Sequence, residues 1–187
     1  MTIILIIIVK AVRQMSNFIE AAYYFLIYSF MGWIVENIYC LSTEKRFLTE
    51  GFLKGPYKPM YGIAMSIVLL CKDAFGDNIL FITILCFLIP TAVEYSAGYI
   101  LKMRFNKVYW DYSEFKHNIF GYVCLEFSCY WAILGISVIT LIHPVINSLY
   151  MNYTGAAIYL VTIIIPIFII DLIFTVIKAH KSKAFAD

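Results

Sequence analysis

Four carboxylates, Glu36, Glu94, Glu126 and Asp171, sit inside stretches of sequence that are otherwise apolar. A charged side chain at the centre of a bilayer costs at least about 2.5 kcal/mol on insertion scales, so such acids face protein, water or a partner rather than lipid. Counted from the ends of their stretches, all four lie about 9–12 Å inside one boundary, at a rise of 1.5 Å per helical residue. Independent segments running in opposite directions thus place acids at one level. Small or hydrogen-bonding residues accompany them at helical spacing. Gly32 and Cys40 flank Glu36, Gly98 follows Glu94, and Asn118 and Tyr122 precede Glu126 on what reads as one helical stripe. Two chemistries fit this pattern. The acids are either hydrogen-bonded struts, or the lining of a cytoplasm-facing polar cavity for a cation, a proton or a basic substrate. For Asp171 the strut is favoured, because Lys178 lies two turns along the same helix and can neutralise it.

The connectors carry the second group of candidates. From Gly51 to Gly62 the chain holds three glycines and two prolines, together with Lys54 and Tyr61. That texture excludes a continuous helix and suits a re-entrant or cavity-lining segment at the membrane surface. In Tyr109-Trp110-Asp111-Tyr112-Ser113 the aromatic residues fit an interfacial belt. Asp111 and Ser113 fit a structured loop, with Asp111 capping the next turn or pairing with an arginine. The candidate binding set is therefore Glu36, Glu94, Glu126, Asn118, Tyr122, Asp111, Arg104, Lys54 and Tyr61.

The elements that must position these residues are membrane helices. Of 187 residues, 63% are hydrophobic and 14% charged, where a soluble domain carries about a quarter charged residues. The apolar residues form blocks rather than stripes. The fold class that follows is an all-α integral membrane protein, a bundle of about five transmembrane helices with structured or re-entrant cytoplasmic connectors. The spans are expected near 18–41, 57–71, 79–101, 118–142 and 157–177, followed by a tail over 178–187. Residues 2–9 are too short a run to span a core of about 30 Å, and 1–14 read as an N-terminal extension ahead of Met15. The whole chain forms one polytopic domain.

Lysines and arginines orient it. Lys45, Arg46, Lys54, Lys58, Lys102, Arg104, Lys107, Lys116, Lys178, Lys181 and Lys183 fall on one side, against Lys10, Arg13 and Lys72 on the other. This places the N-terminus out, the C-terminus in and the protein in the plasma membrane. The net charge of +2 and the lack of a basic patch argue against nucleic acid. The five cysteines show no CxxC or Cys/His clustering and read as small apolar residues, with no metal or cofactor implied.

Several motifs recur in a fixed order: Gly32-Trp33-x-x-Glu36; Gly51-Phe52-Leu53-x-Gly55-Pro56-x-x-Pro59-x-Tyr61-Gly62; Glu94-x-x-x-Gly98-x-x-Leu101; and Trp110-Asp111-Tyr112-Ser113 followed by Asn118-x-x-Gly121. Together, over residues 22 to 140, they resemble the bacterial ABC-transporter type IV family, the CmpB-like permease proteins. The resemblance implies a small multi-pass permease component. One departure stands out: where that family reads Asn-Arg before Gly-Phe, this chain has Thr49-Glu50 before Gly51-Phe52, leaving Arg46 or Arg104 to supply the positive charge.

No GxxxxGK[ST] loop occurs, so ATP hydrolysis by that route requires a separate subunit. A transport component, in a homo-oligomer or with an ATPase subunit, is the leading expectation. Membrane-embedded lipid or headgroup chemistry is the alternative, with Glu36 and Glu94 as acid and base and Lys54, Arg104 and Lys107 holding phosphate. A structural or regulatory membrane protein is the third. No nucleophile with an evident base and no metal-ligand spacing supports an enzyme.

Overall fold

The computed structural model describes residues 2–47 and 51–184, with side chains placed over 15–43, 45–47 and 51–181. It is an all-α membrane protein with almost no sheet. Helix α1 spans Thr2–Glu44, α2 Pro59–Phe75 and α3 Ile79–Phe105. A minimal antiparallel hairpin follows, β1 at Asn118–Ile119 and β2 at Val123–Cys124, with Asn118 opposite Cys124 and Ile119 opposite Val123. Then come α4 at Leu125–Ser137, a π turn at Val138–Ile142, α5 at His143–Asn152 and α6 at Thr154–Ala184.

Among the described residues, four stretches are long and apolar enough to cross a membrane: Met15–Thr43, Ile79–Phe105, Leu125–Asn152 and Thr154–Lys181. The helix expected near 57–71 is α2, which at 17 residues rises about 25 Å. Large side chains such as Ile163, Phe174 and Leu88 point outward and exposed, as a lipid-facing surface requires.

Helix α1 runs unbroken from residue 2 through the first span. Two elements differ from the sequence expectation. Residues 118–124 form the hairpin instead of opening the fourth helix, which starts at Leu125. The connector expected over 143–156 is helical to Asn152, although Pro144 has no N–H to give the preceding turn. The π turn just before it absorbs that lost bond by widening the helix locally. There α5 is tied to α1: Tyr28 and His143 Nδ1 hydrogen-bond at 2.8 Å, and the Tyr24 hydroxyl donates to Asn147 Oδ1 at 2.8 Å.

The core runs along α1, with Tyr23, Leu26 and Tyr28 packed against Val68 and Leu69 of α2, Ile82 and Cys86 of α3, Val138 and Ile139 of the π turn, and Val161 of α6. Small residues set the approach of α1 to α2. A Cβ on Gly32 would collide with the Tyr61 ring, so only glycine lets that ring rest on the α1 backbone. Asn78 caps α3, its Oδ1 accepting from the backbone N–H groups of Leu80 and Phe81 at 3.0 and 3.2 Å. A cap of this type is worth about 1 kcal/mol.

Candidate functional site

The described residues of the two connectors, 45–47 with 51–58 and 106–124, lie at the end of the bundle where α1, α3 and α6 end and α2 and α4 begin. Pro59 starts α2 with the fixed φ suited to a first helical turn. That start aims Lys58 and Tyr61 at α1. Lys58 Nζ lies 2.5 Å from Glu36 Oε2, and the Lys58 backbone N–H donates to the Ser29 carbonyl at 2.9 Å. The Tyr61 ring packs on Gly32, one turn from Glu36, and its phenol lies within electrostatic reach of both Glu36 and Glu94. Glu36 from α1 and Glu94 from α3 therefore face one tyrosine on α2.

Glu94 is 2% exposed. Its Oε1 accepts from the Tyr112 hydroxyl at 2.9 Å and its Oε2 from Trp131 Nε1 at 2.8 Å. Both donors are neutral, one from the second connector and one from α4. The Tyr61 and Trp131 rings meet edge to face at 5.3 Å, filling the space beside the carboxylate. Burial, and then the Glu94 charge, hold the Tyr112 phenol far above its usual range, so it stays a proton donor at any working pH.

The second connector is built to deliver Tyr112. Asp111 Oδ1 accepts from the Ser113 backbone N–H at 2.9 Å and from the Ser113 hydroxyl, an Asx turn that fits the capping role expected of Asp111. These bonds hold its carboxyl below the ordinary range. Asn118 fixes the next turn, donating to the Phe115 carbonyl at 2.7 Å and accepting from the Gly121 N–H at 2.9 Å. Gly121 has φ +74°, and a Cβ there would lie 2.7 Å from both Asp111 Oδ1 and Ser113 Oγ. Trp110 Nε1 closes the loop on the Tyr122 carbonyl at 2.9 Å. A shallow recess between Gly98, Lys107, Trp110 and Tyr122 is too small for a solute.

The nine sequence candidates thus divide. Glu36, Glu94 and Tyr61 come together, with Lys58 joining them. Asp111, Asn118 and Tyr122 shape the loop that brings Tyr112; Asn118 and Tyr122 do so from the hairpin, not from a helical stripe. Glu126 is exposed in the first turn of α4, its Oε2 3.9 Å from Cys124 Sγ. Arg104 is exposed at the end of α3, and the Lys54 side chain is exposed in the first connector. Thr49 and Glu50 lie outside the described residues. Sequence reasoning missed Lys58, Tyr112 and Trp131. Lys58 carried a usable signal, as a lysine just before a helix-starting proline and one turn from Tyr61.

Asp171 also departs from its expectation. Its Oδ2 accepts from the backbone N–H groups of Lys54 and Gly55 at 3.0 and 2.9 Å. Lys178 was the expected partner, but no ion pair among the described residues involves Asp171. Among the described residues no cluster of three or more metal-ligating side chains occurs.

Neither a curated protein nor a solved structure matches the chain. The family model described as Putative ABC-transporter type IV matches residues 23–176, most of the chain, and the chain belongs to that family.

Proposed function

We propose that this chain is the membrane-embedded permease component of an ABC-type transport system, working with a separate ATP-hydrolysing subunit. In this reading the connector end faces the cytoplasm of a plasma-membrane protein, and Glu36, Lys58 and Tyr61 form an exchangeable ion site there. The observation that carries it is the shared environment of Tyr61: a carboxylate from α1, already holding an ammonium, and a second carboxylate behind the same ring. Glu36, Lys58 and Glu94 sum to a formal charge of −1. In a low-dielectric setting that imbalance favours taking up a proton or a cation. Glu36 is the exchangeable member because its side chain is 28% exposed, whereas Glu94 is 2% exposed.

A specific observation gives Glu94 a different role. Both of its oxygens accept from neutral donors on two other elements, which suits a pillar that locks the second connector and α4 to α3. The acid layer is thus divided, one acid for exchange and one for support.

Reconstitution tests the reading. The chain is purified in mild detergent with the proteins it holds, and a subunit carrying a GxxxxGK[ST] loop is sought. ATP hydrolysis by that complex in liposomes should fall several-fold in Glu36→Gln while the variant stays folded. No such subunit, or unchanged hydrolysis in Glu36→Gln, overturns the proposal.

A further inference from the structure

Asp171 is a carboxylate on a membrane helix whose charge is met by main chain. Two successive N–H groups, from Lys54 and Gly55, converge on Oδ2. The Tyr57 phenol lies within electrostatic reach of the same carboxylate, and the Thr175 hydroxyl donates to Oδ1 at 3.3 Å. Successive backbone N–H groups that converge in this way form an anion-binding concavity, and donors of this kind bind charged acceptors about twice as strongly as neutral ones. The concavity has a fixed shape. Tyr57 N–H donates back to the Gly55 carbonyl at 2.8 Å, and the Tyr57 ring packs so closely on Gly55 that it leaves no room for a Cβ there. Tyr57 also rests edge to face on Phe168 of α6 at 5.2 Å, while Leu53 is buried and Phe52 meets Phe105 at 5.0 Å.

The same segment is held at its far end by the opposite charge. Lys58 reaches Glu36 on α1, and its ammonium lies beside Gly51. Residues 51–58 therefore form a strap across the connector end, fastened to α6 through an anion and to α1 through a cation.

We propose that residues 54–57 are a carboxylate-binding nest whose tethered occupant is Asp171, and that this occupancy keeps the strap closed beside Glu36 and Tyr61. The nest stands on its own geometry; its role as a gate rests on reading Glu36 as an ion site. Removing the carboxylate leaves the nest empty and able to take a small free carboxylate in its place. Formate is the probe, since it presents the same two oxygens without a chain.

Limited trypsin digestion of the full chain in lipid nanodiscs reads the strap. Lys54–Gly55 is its reporter bond, because Lys58 precedes a proline and trypsin does not cut there. The exposed Lys45 and Arg46 outside the strap serve as internal controls. Cleavage from a rapidly reclosing state tracks the open population. Asp171→Ala should raise the initial rate at Lys54 by about tenfold relative to the controls, the size expected for losing a charged acceptor. Sodium formate should restore protection, where sodium chloride at equal ionic strength does not. Glu36→Gln should also raise cleavage at Lys54, with no response to formate. Should Asp171→Ala fail to fold, Asp171→Asn keeps the shape, and it should show a smaller rise that formate leaves unchanged. A wild-type rate in either Asp171 variant, or no formate effect in a folded Asp171→Ala, overturns the nest. None of these readouts involves ATP or transport, so the permease reading stands or falls separately. A nest confirmed while Glu36→Gln leaves Lys54 protected removes the gate alone.

Discussion

The Tyr112 hydroxyl donates to Glu94 Oε1 at 2.9 Å, from a connector into the middle of α3. The bond joins two parts of the chain that share no secondary structure. It turns the connector from a surface loop into part of the bundle, and it leaves Glu94 with a donor on each oxygen once Trp131 is added.

Tyr112→Phe keeps the ring, which packs on Phe127 at 4.7 Å, and removes only the donor. A buried acceptor left unsatisfied costs about 1–3 kcal/mol, so the variant should melt lower in detergent. The pair should also be coupled: in Glu94→Gln the further loss from Tyr112→Phe should be smaller than in wild type. Equal losses in both backgrounds, measured by thermal unfolding, would show that the bond carries no energy.

Gly121→Ala should loosen the 106–124 connector, because it forces a side chain into a left-handed position already crowded by Asp111 and Ser113. Strain of this kind costs about 1–3 kcal/mol. A Cβ added at Gly155 would meet nothing within 4 Å, so Gly155→Ala should be neutral or slightly stabilising. Hydrogen exchange at the amides of residues 111–122 separates the two, since only the first should raise it.

Asp111 supplies a pH signature. Its folded pKa lies below its ordinary value of 3.8, chiefly through the Ser113 hydroxyl and then the Ser113 N–H. A depressed acid contributes stability that is fully present above the unfolded pKa and is lost as pH falls through the folded one. The melting-temperature gap between wild type and Asp111→Ala should therefore be constant near neutrality and shrink below about pH 4. A gap that stays constant into that acid range would assign the effect to packing.

Orientation is testable by single cysteines in a cysteine-free background. Cysteines at Lys107 and Lys181 should resist a membrane-impermeant thiol reagent applied to intact cells, and one at Met151 should react. Both lysines and Met151 are exposed, so protection reports the side of the membrane. Labelling at 107 from outside would invert the topology.

The membrane class was legible because apolar blocks of spanning length announce themselves, and Glu36 and Glu94 stood out as candidates because a charge in such a block is conspicuous. The hairpin was not. Asn118, Tyr122 and Glu126 are spaced by four, which imitates a helical face, and the apolar residues between them break no pattern; Gly121, three residues after an asparagine, was the turn signal available. Asp171 was misassigned for a related reason. Local spacing offered Lys178 as a partner, whereas the donors that bind it are backbone groups 116 and 117 residues away. Main-chain donors leave no trace in residue identity.

The widened turn at Val138–Ile142 has one more consequence. Each helical residue advances the azimuth by about 100°, so a turn holding one extra residue resets the phase of everything beyond it. The half containing Gly135, which packs on Cys86 of α3, and the half containing His143 and Asn147, which meets α1, therefore keep separate angular registers. A substitution in one half leaves the heading of the other untouched. Gaining or losing a single residue within the turn instead swings the entire distal half away from Tyr24 and Tyr28. This helix tolerates changes of letter better than changes of length.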